Sequence, residues 1–176
     1  NCFEVIICND GSTDATEQIV NEFKPTYRLK YLSQPNSGAA AARNKAIMAA
    51  CGEYVLFLND DIYPSETLLQ EHLSFHQNRN DKFAVLLGKV EFDEKHSTRL
   101  ISMALMQHDL HFPQQMSQEG IPYDFDHFVT GNISLSANAL GDGNNLFDKD
   151  FPNCYCEDIE LGYRLWKQGY RIYYNP

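Results

Sequence analysis

Acidic side chains occur in this chain in three compact groups whose spacing could do chemistry: Asn9-Asp10, Asn59-Asp60-Asp61 and Glu157-Asp158. The first two directly follow apolar runs that read as β-strands, Glu4 to Cys8 and Glu53 to Leu58. In open α/β sheets ligands bind beyond the carboxyl ends of the strands, so groups at those ends carry the most weight. Adjacent carboxylates repel one another, and a divalent cation removes that cost. Hard oxygen ligands suit Mg2+ or Mn2+, which can bridge two phosphates. Asp60 and Asp61 are therefore either metal ligands or caps of a helix that opens near Pro64. Asn36-Ser37-Gly38 precedes a helix containing Arg43 and offers backbone N–H groups and a guanidinium to a phosphate or a base; a serine cap, a glycine turn and a solvated Arg account for it equally well. Glu157-Asp158 opens a helix whose dipole would keep a carboxylate ionised and ready to accept a proton, and acids are also ordinary in a first turn. His108, Asp109 and His111 match no standard set of metal ligands.

The elements that must position these groups follow from periodicity. Short β-branched and aromatic runs alternate with helical patterns, the signature of βαβ units around a mostly parallel sheet. After strand one, Asp10-Gly11-Ser12 forms a turn, and Ser12 or Thr13 caps a helix reaching about Phe23, with Ile19, Val20 and Phe23 as its apolar face. Arg28 to Ser33 is the second strand, and Ser37 caps an alanine-rich helix from about Gly38 to Ala50. Glu53 to Leu58 suits a central strand. Pro64 opens a helix to about His76, and a strand lies near residues 84–92. A helix is expected over residues 98–110, a strand over residues 128–136 and a mobile loop over residues 141–145. The helix of residues 157–168 is closed by Gly169, and Arg171 to Tyr174 is the last strand. Tyr163 and Trp166, about one turn apart, read as core packing.

Composition narrows the classes. The chain has 176 residues, 43% of them hydrophobic, which is enough for one well-buried domain spanning residues 1–176. Fourteen Lys and Arg face 24 Asp and Glu, a net charge of -10 that argues against a nucleic-acid partner. Five cysteines, at 2, 8, 51, 154 and 156, show neither a disulfide framework nor a CxxC site, and a reducing, cytoplasmic setting is expected. Cys154 and Cys156 are expected to pack beneath the loop that carries them. No apolar run approaches the roughly 20 residues that span a bilayer. The abrupt strand at each end suggests a domain incomplete at both ends, with any membrane anchor elsewhere.

The order of four segments is more specific than any one of them. VIICNDGSTDAT, then NSGAAAARNKAIMAACGEYVLFLNDDIYP, then VTGNISLSANAL, then CEDIELGYRLWKQGYRIYYNP resembles the family-2 glycosyltransferases of the GT-A fold over nearly the whole chain, least between residues 92 and 126. The resemblance implies an α/β, GT-A type, Rossmann-like sheet flanked by helices. It implies an inverting transferase that moves a sugar from a nucleotide-diphosphate donor, UDP in the first instance, to a saccharide or other hydroxyl acceptor. Residue by residue it implies that Asp10, with Gly11 and Ser12 forming the turn, and Arg43 and Asp60 hold the nucleotide. Asp61, with Asp60, would ligate Mg2+ or Mn2+ in a DxD-type motif in which Asn59 stands where Asp is usual. Gly131 and Asn132, after Thr130, match a donor-sugar and acceptor loop. Glu157-Asp158 matches the family's ED pair, with Asp158 the general base. The family's first strand would precede Asn1, and a His that completes the metal site would follow Pro176. Family habit suggests bacterial surface polysaccharide assembly at the inner face of the membrane. The competing readings are a non-catalytic nucleotide- or saccharide-binding module and a nucleotidyltransferase; the second would want a basic, glycine-rich phosphate loop that this chain does not show.

Overall fold

The computed structural model describes residues 3–91, 120–141, 146–151 and 156–175. The first strand, β1 (Glu4–Asn9), is followed by α1 (Thr16–Glu22), β2 (Arg28–Ser33) and α2 (Ala39–Ala49). Next come β3 (Tyr54–Leu58), α3 (Leu68–Arg79) and β4 (Ala84–Gly88). A 3-10 turn (Phe125–His127) leads to β5 (Asn132–Ser136), α4 (Ala137–Leu140), α5 (Glu157–Lys167) and β6 (Arg171–Asn175).

The strands form two groups. β1 and β2 pair in parallel, with Glu4 opposite Arg28 and Asn9 opposite Ser33. The other four are ordered β3-β5-β4-β6. Their β4–β6 pair is parallel, as βαβ patterning leads one to expect, while β5 runs antiparallel to both β3 and β4. The sheet is therefore mixed, and the antiparallel β5 brings the start of one strand, Asn132, level with the end of another, Leu58.

The core lies on one face of this sheet. Val85, Leu87, Ile133, Leu135 and Ile172 meet Phe128, Leu161 and Leu165, all buried. On β5 the intervening residues Asn132, Ser134 and Ser136 are also buried, and the first and second of these meet His72 and His76 of α3. Period-2 alternation in NISLS thus separates an apolar layer from a polar one.

Several local expectations shift. Neither Ser12 nor Thr13 caps α1; Ala15 stands at its N-cap and Asp14 Oδ1 accepts from the Thr16 N–H at 3.0 Å. The α1 face expected to be apolar is left open, with Ile19 64% exposed. Ser37 does not cap α2; its hydroxyl donates to the Pro35 carbonyl, and Gly38 occupies the cap position. Helix α3 begins four residues after Pro64 and runs past His76 to Arg79. β4 stops at Gly88, and in the segment expected to be a strand over residues 128–136 only the last five residues are one. Cys156 is exposed rather than packed. Tyr163 is likewise exposed, sharing a ring cluster with Phe125 and Trp166. The helix expected over residues 98–110, His108, Asp109, His111, Cys154 and the loop residues 142–145 lie outside the described residues.

Candidate active site

Asp10 lies just beyond β1, and its carboxylate accepts three hydrogen bonds from the loop before α2. Oδ1 takes the Gln34 Nε2–H at 2.8 Å and the Ser37 N–H at 2.9 Å, and Oδ2 takes the Gly38 N–H at 2.8 Å. A carboxylate at the first turn of a helix gains from the dipole as well as from these donors. Gly11 follows with φ +83°, and a Cβ there would lie 2.8 Å from the Asn36 nitrogen, so the 9–12 turn and the 34–38 loop are in backbone contact. Ser12 closes the turn by donating its N–H to Asn9 Oδ1 at 2.7 Å.

From α2, Arg43 reaches across the fold to α5. Its Nη1 donates to Glu157 Oε1 at 2.6 Å, and its guanidinium lies 5.4 Å from the centre of the Phe147 ring. The neighbouring Asn44 is buried and clasps the same segment, donating to the Phe147 carbonyl at 2.8 Å and accepting from the Phe147 N–H at 2.9 Å. Phe147 packs edge-on against Phe57 of β3. Asn44 and Phe147 are thus the supports of Arg43 that sequence reading missed; an Asn on the inward side of a helix was the available signal, since such amides are seldom buried without partners.

Glu157 is 5% exposed, and its Oε2 has no hydrogen-bond partner among the described residues. Asp158 is half-buried. Its Oδ1 accepts the Ile159 N–H at 2.9 Å and its Oδ2 the Thr130 N–H at 3.4 Å. A carboxylate offers about four lone-pair sites, so it keeps acceptor capacity beyond those two donors. The helix can approach this closely because Gly162 faces Phe128: a Cβ on Gly162 would collide with the Phe128 side chain and lie 2.8 Å from the Phe125 carbonyl.

Thr130 and Gly131 then tie α5 to β3, because the Gly131 carbonyl accepts from the Asn59 N–H at 3.3 Å. Asp60 and Asp61 follow in an exposed turn, where among the described residues neither carboxylate has a hydrogen-bond or ion-pair partner. Asn132 turns the other way. Its amide is committed to His72 and to the Lys89 carbonyl.

A divalent cation is tested by this donor set. No three His, Cys, Asp or Glu converge on one position among the described residues. Two adjacent, unpartnered carboxylates at a strand end nevertheless fit a hard cation that takes its other ligands from water and substrate phosphates, the usual habit of Mg2+.

Asp10, Gly38, Arg43, Glu157, Asp158, Thr130, Gly131, Asn59 and the Asp60-Asp61 turn are thus linked by hydrogen bonds, short stretches of backbone and helix α2. Segments far apart in sequence are thus joined by one run of contacts. An α/β domain of the GT-A type, with charged residues gathered beyond its strand ends, defines the class. Residues 2–140 match the family model described as "Glycosyl transferase family 2", and the chain belongs to that family.

Among similar proteins is validoxylamine A glucosyltransferase of Streptomyces hygroscopicus subsp. jinggangensis (strain 5008), 29% identical over 95% of this chain and 44% of that protein. Chondroitin synthase of Escherichia coli is 26% identical over 95% of this chain and 28% of its own length. The chain therefore spans less than half of these relatives. The fold is shared with S. aureus TarS 1-349 in complex with UDP, at TM-score 0.77 and 24% identity over 99% of this chain and 48% of that one. It is also shared with the mannosyltransferase PcManGT from Pyrobaculum calidifontis in complex with GDP-Man and Mn2+, at TM-score 0.68 and 20% identity over 98% of this chain and 45% of that one. No described helix is long and apolar enough to cross a membrane.

Proposed function

We propose that this domain transfers a sugar from a nucleotide-diphosphate donor, UDP-linked in the first instance, to a saccharide or other hydroxyl acceptor by single displacement with inversion. The observation that carries this reading is the run of contacts that joins Asp10 to the Gly38 N–H, Arg43 to Glu157, Asp158 to the Thr130 N–H, and the Gly131 carbonyl to Asn59, the residue before Asp60-Asp61. The UDP-bound structural neighbour and the glycosyltransferase names of the relatives support it.

In this reading Asp158 takes the proton of the acceptor hydroxyl as its oxygen bonds to the anomeric carbon. The carbon–oxygen bond to the diphosphate breaks, and the nucleoside diphosphate leaves with that electron pair. Arg43 and Glu157 fix the start of α5 and so the carboxylate beside it. Asp10 shapes the turn and loop against which the nucleotide is held, together with Gly11, Ser12 and Asp60. Asp61, with Asp60, would hold Mg2+ or Mn2+, which would neutralise charge on the departing diphosphate. Gly131 lines the donor and acceptor side, and Asn132 acts from behind it. Holding both reactants in line lowers the barrier further.

Calorimetric titration with UDP, with and without Mn2+, tests the reading beside an Asp61→Ala variant. Binding that requires the metal and disappears in the variant is the expected result. Metal-independent binding, equal in the variant, would remove the metal assignment and favour a non-catalytic nucleotide-binding module.

A further inference from the structure

Behind the candidate site, α3 and β5 enclose a polar cluster that the proposed chemistry does not use. His72 and His76 are 6% and 4% exposed. His72 Nδ1 lies 2.7 Å from Ser134 Oγ, His72 Nε2 lies 2.9 Å from Asn132 Oδ1, and His76 Nε2 lies 2.8 Å from the same Ser134 Oγ. Asn132 Nδ2 donates to the Lys89 carbonyl at 3.1 Å.

The direction of every bond follows from one end. The Lys89 carbonyl can only accept, so the NH2 group of Asn132 must face it and Oδ1 must face His72. Oδ1 also can only accept, so His72 carries its proton on Nε2. Burial disfavours the charged ring, which leaves Nδ1 bare, and the single hydroxyl proton of Ser134 must point to it. Ser134 then has only lone pairs to offer His76, whose proton must sit on Nε2. The order of donation is His76, Ser134, His72, Asn132 and the Lys89 carbonyl.

We propose that His72 is a positioning residue for the candidate site, acting through Asn132 on the 130–132 segment against which Asp158 lies. Three further observations support it. Gly88 leaves no room for a Cβ beside the Asn132 amide, so the amide has one seat. Thr130 and Gly131, the two residues before Asn132, donate to Asp158 and accept from Asn59. The Asn132 end of the cluster also borders a cavity of about 290 Å3 lined by Thr67, Glu71 and Lys89. The consequence for catalysis rests on the transferase reading; the arrangement of protons does not.

The test begins with the unaltered full chain, by side-chain nitrogen NMR of the histidines at pH 7. Neutral rings protonated on Nε2 at both His72 and His76 are expected; a proton on Nδ1 of His72, or a doubly protonated ring, overturns the assignment. Two variants then separate positioning from packing. In His72→Gln the amide nitrogen stands at the same distance along the side chain as Nε2 and can still donate to Asn132, whereas in His72→Asn it stands one atom short. Amide exchange at Thr130 and Asn59 is expected to quicken about tenfold in His72→Asn, the factor expected for one lost buried hydrogen bond, and to stay near the unaltered rate in His72→Gln. Equal rates in the two variants overturn the positioning role. Titration with UDP and Mn2+ on the same samples keeps the two readings apart: absent binding by the unaltered chain overturns the transferase reading, while intact binding with the wrong tautomers overturns this proposal alone.

Discussion

Two carboxylates adjacent in sequence, Glu157 and Asp158, have different surroundings and should fail differently. Glu157 is buried and paired with Arg43, whereas Asp158 is half-buried and held by two backbone donors with acceptor capacity to spare. Asp158→Asn keeps the volume and removes the base, so kcat should fall by about 10²–10⁴-fold with donor KM nearly unchanged, read by steady-state kinetics once a donor is known. Glu157→Gln leaves a half-buried guanidinium without its counter-charge. Removing one partner of a buried pair costs about 3–5 kcal/mol, less here because the Arg43 side chain is 24% exposed, so a loss of about 2 kcal/mol by urea denaturation is expected, with a smaller fall in kcat than in Asp158→Asn. Equal stability in the two variants would mean that the ion pair does not hold the start of α5. Local patterning leaves these two acids interchangeable as helix-opening residues, and only the family resemblance singles out Asp158 as the base. What distinguishes them is a cation 114 positions away in the chain, which local patterning cannot reveal.

At the scale of elements, the site depends on two close approaches that glycine permits. Gly162 lets α5 settle on the 125–128 segment, and Gly11 lets the turn after β1 touch the 34–38 loop at a positive φ. Gly162→Ala should destabilise by about 1–3 kcal/mol or more through overpacking against Phe128, and should also weaken activity, because Asp158 stands one helical turn before it. Matched urea titrations and rates at a temperature where the variant remains folded check this; full activity in a destabilised variant would separate the packing of α5 from the chemistry. Strand ends and helix bodies were legible in the sequence: β1, β2, β3, α2, α5 and β6 all lie where period and turn residues indicate. Caps were not. Ser37 has the chemistry of a cap, yet three donors around α2's entrance converge on Asp10, which lies 28 residues before Gly38 and is joined to it only by tertiary structure. The orientation of β5 was equally hidden, since alternation determines which side chains share a face and says nothing of strand direction.

For the whole molecule, the polar layer between β5 and α3 makes stability depend on pH. NISLS alternates as a strand with one face in water would, but both faces are covered, and the polar face is satisfied only because His72 and His76 are neutral inside it. Burial lowers both rings, with His76 brought from 6.5 to about 4, helped by the neighbouring His72. Above pH 6.5 the folded and unfolded states both hold a neutral His76, so its full stability is present there. As pH falls from 6.5 towards 4 the unfolded chain takes up the proton first, and stability is lost by about 3 kcal/mol at full extent. A second window opens at the start of β1. The Cys51 and Lys30 donors hold Glu4 at about 2, against an ordinary 4.5, so its contribution is present above pH 4.5 and lost as pH falls towards 2. Urea denaturation between pH 7.5 and 4 should therefore show a declining midpoint well before carboxylates titrate. His76→Gln keeps a donor for Ser134 without a titrating ring, and should flatten the part of that slope due to His76 while leaving His72's contribution and the fall below pH 4.5. An unchanged slope in that variant would show that His76 does not stay neutral in the folded protein, and would remove the buried pair as the origin of acid sensitivity.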